Sequence, residues 1–187
     1  MSLPNLLTIF RVILIPVVVV VYYVGDVWGH LWATFLFSIA SVTDLVDGYL
    51  ARNLQQETRF GAFLDPIADK LLVTTALGMV IGEVGNIVIT IPAIIIILRE
   101  LTISGLREWV AKIGSEVSMK VSFIAKAKTM IQMFAVGALL LYNKNWPLEF
   151  NVLFVGYGVC LLYIAALMTV FSMLHYLYLA WPSLFSK

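Results

Sequence analysis

Four aspartates, Asp44, Asp47, Asp65 and Asp69, sit between long apolar runs, where an ionised side chain is expensive and marks a function. Asp44 and Asp47 are three residues apart and Asp65 and Asp69 four apart, so each pair shares one face of a helix. A helix ending near Arg52 and another starting near Gly61, joined by residues 53–60, would form an antiparallel pair. Asp44 and Asp69 would then lie roughly 12 Å from the turn, and Asp47 and Asp65 roughly 6–8 Å, at ~1.5 Å per residue. Four carboxylates meeting in a low dielectric repel one another unless cations lie between them. Oxygen-only ligands point to Mg²⁺ or Mn²⁺.

The chain around these residues is suited to lipid. Of its 187 residues, 61% are hydrophobic and 12% charged, about half the charge of a soluble domain, and the mean hydropathy is +0.98. These figures predict an all-α integral membrane protein with a single domain over residues 1–187. Six apolar segments reach spanning length, ~20 residues each: 6–24, 31–51, 61–82, 86–111, 121–142 and 150–178. The second and third carry the aspartates. Nothing in the net charge of +1 or the spacing of basic residues points to nucleic acid. The first apolar run holds Arg11 and Pro16 and lacks the features of a cleavable leader, so it is expected to remain as a membrane helix. Cys160 lies within an apolar segment as an inert small residue.

Loop charges predict the orientation. Residues 25–30, 83–85 and 143–149 contain one basic residue, Lys144. The other Lys and Arg residues lie in the N-terminus, the 52–60 and 112–120 turns, the C-terminus, or the helix portions nearest them. By the positive-inside rule both termini are cytoplasmic, and the aspartates open towards the cytoplasm. Trp28, Trp32 and Trp146 then fall at the outer interface, and Trp109 and Trp181 at the inner one, as an aromatic belt.

Two glycines punctuate the acidic stretch: Gly48 follows Asp47, and Gly61 precedes Asp65 by four residues. Lacking a Cβ, each lets a ligand or another backbone come close. A plainer reading makes Asp65-Pro66 a helix N-cap with proline in the first turn. That reading leaves Asp44 and Asp69 without a purpose and turns the apolar residues Tyr49, Leu50, Phe60, Phe63 and Leu64 into loop.

Read as one pattern, residues 44–69 are D-x-x-D-G-x-x-A-R, eight residues, then G-x-x-x-D-x-x-x-D. This resembles the signature of the CDP-alcohol phosphatidyltransferases, and Asp44, Asp47, Gly48, Ala51, Arg52, Gly61, Asp65 and Asp69 fill it without departure. The resemblance implies a six-helix membrane enzyme, usually a homodimer, that transfers a phosphatidyl group from a CDP-linked lipid to an alcohol and releases CMP. It implies that the four aspartates bind two divalent ions and that Asp69 is also the general base. Gly48, Ala51 and Gly61 would let the cytidine diphosphate pack against the backbone, with Arg52 beside the nucleotide.

The flanks narrow the acceptor. The segments P-N-L-L-T-I-F-R (Pro4 to Arg11), R-E-L-T-I-S-G-L-R-E (Arg99 to Glu108) and K-A-K-T-M-I-Q (Lys126 to Gln132) resemble the bacterial branch of the family that uses CDP-diacylglycerol and sn-glycerol 3-phosphate. A place in the bacterial cytoplasmic membrane follows from that resemblance. Arg99, Arg107, Lys126 and Lys128 are the candidates for the acceptor phosphate, since guanidinium groups match a phosphate's geometry and lysines act as point charges. Their plainer role is to pair with Glu100 and Glu108 or to set topology. Asn5, Thr8 and Arg11 are candidates for lining the nucleotide or metal site, against an interfacial cap with a snorkelling arginine. A sibling transferase with another acceptor is the nearest alternative. Membrane prenyltransferases, whose aspartate motifs lie further apart, and cation transporters, with broken helices in corresponding halves, match less well.

Overall fold

A computed structural model of the chain describes residues 3–25, 28–54, 59–112 and 123–185. Among them the backbone forms six α-helices and no strand: α1 (Leu3–Val24), α2 (Gly29–Leu54), α3 (Arg59–Val84), α4 (Ile87–Lys112), α5 (Phe123–Leu140) and α6 (Leu148–Phe185). These follow the six expected apolar segments closely, except that α6 runs seven residues beyond residue 178. Helices α1, α4 and α6 contain stretches long and apolar enough to cross a membrane, Asn5–Val24, Ile87–Val110 and Leu148–Tyr178. Helices α2 and α3 carry the aspartates.

Helix α3 begins close to Gly61, as expected, and the plainer reading of Asp65-Pro66 as its cap does not hold. The helix starts at Arg59, so both residues lie inside it. Proline there cannot donate an amide to the preceding turn. A tight turn at Gly85–Asn86 ends α3 and starts α4. Gly85 adopts φ +59°, a left-handed conformation natural to glycine at a helix C-terminus, and its amide donates to Ile81 at 3.1 Å. The Asn86 side chain then caps α4 by accepting from the Val88 amide at 2.9 Å.

Small residues set the helix packing. Ala33, Ala40, Ala76, Ala93, Ala135 and Ala165 are buried alongside Leu14, Val18, Phe37, Leu77, Val80, Ile96, Leu139 and Leu162. Such residues let helices approach closely where lipid supplies no drive for apolar side chains to cluster. At Gly158 of α6 a Cβ would lie 2.7 Å from Cγ of Leu139 on α5. Large apolar side chains such as Ile13, Val20, Phe134, Leu153 and Phe171 face outward, as on a surface that meets lipid rather than water.

Among the described residues, α1 packs against both α2 and α3, α5 also touches both, and α2 and α3 make the sparsest contact of any touching pair. The aspartate-bearing helices are therefore held together through their neighbours.

Candidate active site

Asn5, Thr8 and Arg11 recur every three residues along α1 and are all buried. This is one stripe of the helix, turned inward. The Arg11 side chain is 0% exposed, and its Nη1 donates to Oδ1 of Asp44 on α2 at 2.5 Å. Thr8, 1% exposed, donates through Oγ1 to Oδ1 of Asp65 on α3. Neither residue is an interfacial cap or a snorkelling cation. A fully desolvated guanidinium is costly unless an opposite charge is hydrogen-bonded to it, and Asp44 meets that need. One face of α1 thus fixes a carboxylate from each of the two acidic helices.

Asp69 lies one turn beyond Asp65 and is half-buried. The charges of Asp65 and Asp69 both reach Asp44, and Asp69 also feels Glu100. Three of the four signature carboxylates therefore share one region. Among the described residues, no group of three or more acidic, histidine or cysteine side chains is gathered closely enough to hold a metal. Asp47 lies on α2, and its side chain is outside the described residues. The same holds for the surroundings of Gly48, Ala51, Arg52, Arg107 and Lys126. Gly61 is buried in the first turn of α3.

Two hollows meet the aspartates. A cleft of about 660 Å³ is lined by Asp69 and Lys70 of α3 and by Arg99, Glu100, Ser104 and Glu108 of α4. A smaller hollow of about 170 Å³ lies between α2 and α5, where Asp44 adjoins Phe37, Ser41, Met130 and Met133. The first is polar enough for a charged small molecule. The second offers mainly apolar walls.

Beside the cleft is a buried charged cluster. Glu100 Oε1 accepts from Lys128 Nζ at 2.6 Å and from Arg99 Nη1 at 2.9 Å, and Arg99 Nη2 donates to Ser172 Oγ of α6 at 2.8 Å. The structure thus brings Arg99 and Lys128 together near Asp69 while giving both a protein partner. Sequence reasoning missed Ser172, while the buried Gln132 stands on the stripe it shares with Lys128. A signal existed: Thr169 and Ser172 are hydroxyls three residues apart in a long apolar helix.

A bundle of long apolar helices with a half-buried acidic centre, adjoined by a charged cluster and a polar cleft, defines a membrane-type helical protein. The sequence profile of the CDP-alcohol phosphatidyltransferases matches residues 1–171, and the chain belongs to that family. It is 47% identical over 176 residues, 94% of this chain and 93% of theirs, to curated relatives from Salmonella choleraesuis (strain SC-B67), Salmonella typhimurium (strain LT2) and Escherichia coli (strain K12). Each of those proteins is named CDP-diacylglycerol–glycerol-3-phosphate 3-phosphatidyltransferase.

Proposed function

We propose that the chain is a phosphatidyltransferase that moves the phosphatidyl group of CDP-diacylglycerol to sn-glycerol 3-phosphate, giving phosphatidylglycerol phosphate and CMP. One observation carries this reading: Asp69 and Arg99 line the same cleft, in a chain alike along its length to relatives named for that reaction. In this reading all six helices cross a bacterial cytoplasmic membrane, with both termini and the acidic centre on the cytoplasmic side, and two copies pair as a homodimer. The asymmetry of basic residues and the outward-facing apolar side chains support the placement.

Asp44, Asp47, Asp65 and Asp69 would hold two divalent ions, Mg²⁺ or Mn²⁺. Their oxygen-only donors suit such ions, and the mutual reach of Asp44, Asp65 and Asp69 supports the fit. When bound, the ions neutralise the diphosphate and favour both the attacking and the leaving oxygen. Arg11 and Thr8 keep two of the carboxylates aimed. Asp69 takes the proton from the acceptor hydroxyl. The hydroxyl oxygen bonds to the phosphorus bearing diacylglycerol, and the bond from that phosphorus to the CMP oxygen breaks. Gly48, Ala51 and Gly61 give the cytidine diphosphate room against the backbone, with Arg52, Asn5 and Thr8 beside it. Arg99, Arg107, Lys126 and Lys128 receive the acceptor's phosphate. The donor's acyl chains stay in the leaflet, which accounts for a site within membrane helices that serves a water-soluble acceptor.

The test is CMP release by purified protein given CDP-diacylglycerol, sn-glycerol 3-phosphate and Mg²⁺ or Mn²⁺. Release that depends on glycerol 3-phosphate and stops on chelation supports the reading. Release driven by serine or inositol phosphate instead would assign the chain to a sibling reaction.

A further inference from the structure

The cluster at Glu100 joins three helices that the acidic centre does not link. One carboxylate oxygen receives both Lys128, from α5, and Arg99, from α4, and Ser172 of α6 holds the far side of the guanidinium. Both cations are withdrawn from solvent, Lys128 being 3% and Arg99 6% exposed. Arg99 Nε is also buried without a partner among the described residues. Arg99 and Glu100 line the cleft that holds Asp69, and the charges of Glu100 and Lys128 both reach Asp69. Within the cluster itself one carboxylate faces two cations, and Arg99 Nε remains a buried N–H donor with no partner among the described residues. That arrangement suits an arriving oxyanion and offers little to a neutral polyol. Without the carboxylate, the two cations would repel one another and swing apart.

We propose that Glu100 is a positioning residue for acceptor specificity: it pins Arg99 and Lys128 at one oxygen, so that a preset cation pair receives the phosphate of a phosphorylated alcohol whose hydroxyl meets Asp69. The inference rests on the phosphatidyl-transfer reading and goes beyond it by naming what sorts phosphorylated from unphosphorylated acceptors. A site built around a polar group rejects analogues lacking it far more strongly than a site that merely tolerates it.

The experiment compares wild type with Glu100→Gln, Glu100→Asp and Ser172→Ala, full length and in micelles containing CDP-diacylglycerol, with sn-glycerol 3-phosphate or glycerol as acceptor. Glu100→Gln is expected to raise the KM for glycerol 3-phosphate roughly tenfold and to leave the KM for CDP-diacylglycerol within about twofold. The preference for glycerol 3-phosphate over glycerol should fall by a similar factor. Glu100→Asp, which keeps the charge, should recover much of the loss. An unchanged acceptor KM, or an equal loss with both acceptors, overturns the proposal. If Glu100→Gln does not fold, Ser172→Ala decides: the acceptor KM should rise about threefold with the donor KM unmoved, and no rise overturns it. A wild-type protein that releases no CMP with glycerol 3-phosphate overturns the underlying reading, and this inference with it. An active wild type with an unaltered variant overturns the inference alone.

Discussion

The buried Arg11 of α1 and the half-buried Asp44 of α2 form an ion pair at 2.5 Å. Three residues before it, Thr8 bonds Asp65 of α3. Among the described residues, α1 packs against both α2 and α3, so it helps to shape the acidic centre. The first helix is part of the site, not simply an anchor.

Removing Arg11 should therefore cost both fold and activity. Breaking a fully buried pair costs about 3–5 kcal/mol, and the partial exposure of Asp44 sets the cost here below that range. Arg11→Ala is expected to lower the thermal midpoint of the detergent-solubilised protein sharply and to abolish CMP release. Arg11→Lys should keep more stability than Arg11→Ala yet recover little activity, because a lysine lacks the rigid fork. A midpoint equal to wild type in Arg11→Ala would show that the pair contributes nothing.

Thr8→Val keeps the shape of the side chain and deletes its donor to Asp65. The stability loss should be modest, about 1–3 kcal/mol. The rate should fall further than that loss of folded protein explains, since Asp65 would lose its aim. Rates normalised to folded protein, measured by size-exclusion of the purified variant, make the comparison.

Asp69→Asn removes the proposed base and preserves the volume. General-base loss alone costs about 10²–10⁴ in rate. CMP release should fall by at least that much while the yield of folded protein stays near wild type. Activity retained within tenfold, a bound set by that same range, would remove Asp69 from the base role.

Divalent ions should stabilise the fold in proportion to their occupancy, because a ligand that binds the native state raises its apparent stability. Mg²⁺ or Mn²⁺ is expected to raise the thermal midpoint, and a chelator to reverse the rise. Asp44→Asn and Asp65→Asn should each blunt the shift. A metal-dependent shift of wild-type size in both variants would place the ions elsewhere.

Gly158→Ala tests the α5–α6 contact far from any proposed chemistry. The new methyl would meet the buried Leu139 side chain, and overpacking of this kind costs about 1–3 kcal/mol. The thermal midpoint should fall, and the combined cost with Leu139→Ala should be smaller than the sum of the two single costs. A double variant no better than the sum of the two single changes would argue against that contact.

Much of this was legible along the chain. Apolar runs separated by the short segments 25–30, 52–60, 83–85, 112–120 and 143–149 marked all six helices. The spacing of Asp44, Asp47, Asp65 and Asp69 pointed to one acidic region, and the glycine-punctuated pattern around them to the family. These are local properties: helical period, turn chemistry and the cost of a charge among apolar residues are set by near neighbours in sequence. What the tertiary structure alone decided was partnership. Ile13 and Leu14 are both apolar, yet Ile13 faces outward and Leu14 is buried. In a chain apolar on its lipid-facing and core-facing sides alike, hydrophobicity cannot tell one from the other. For the same reason, nothing along the sequence revealed that Arg11 would reach Asp44, that Thr8 would reach Asp65, or that Ser172 would complete the cluster around Glu100. Those contacts depend on which helix faces pack together, and packing is a property of the whole bundle.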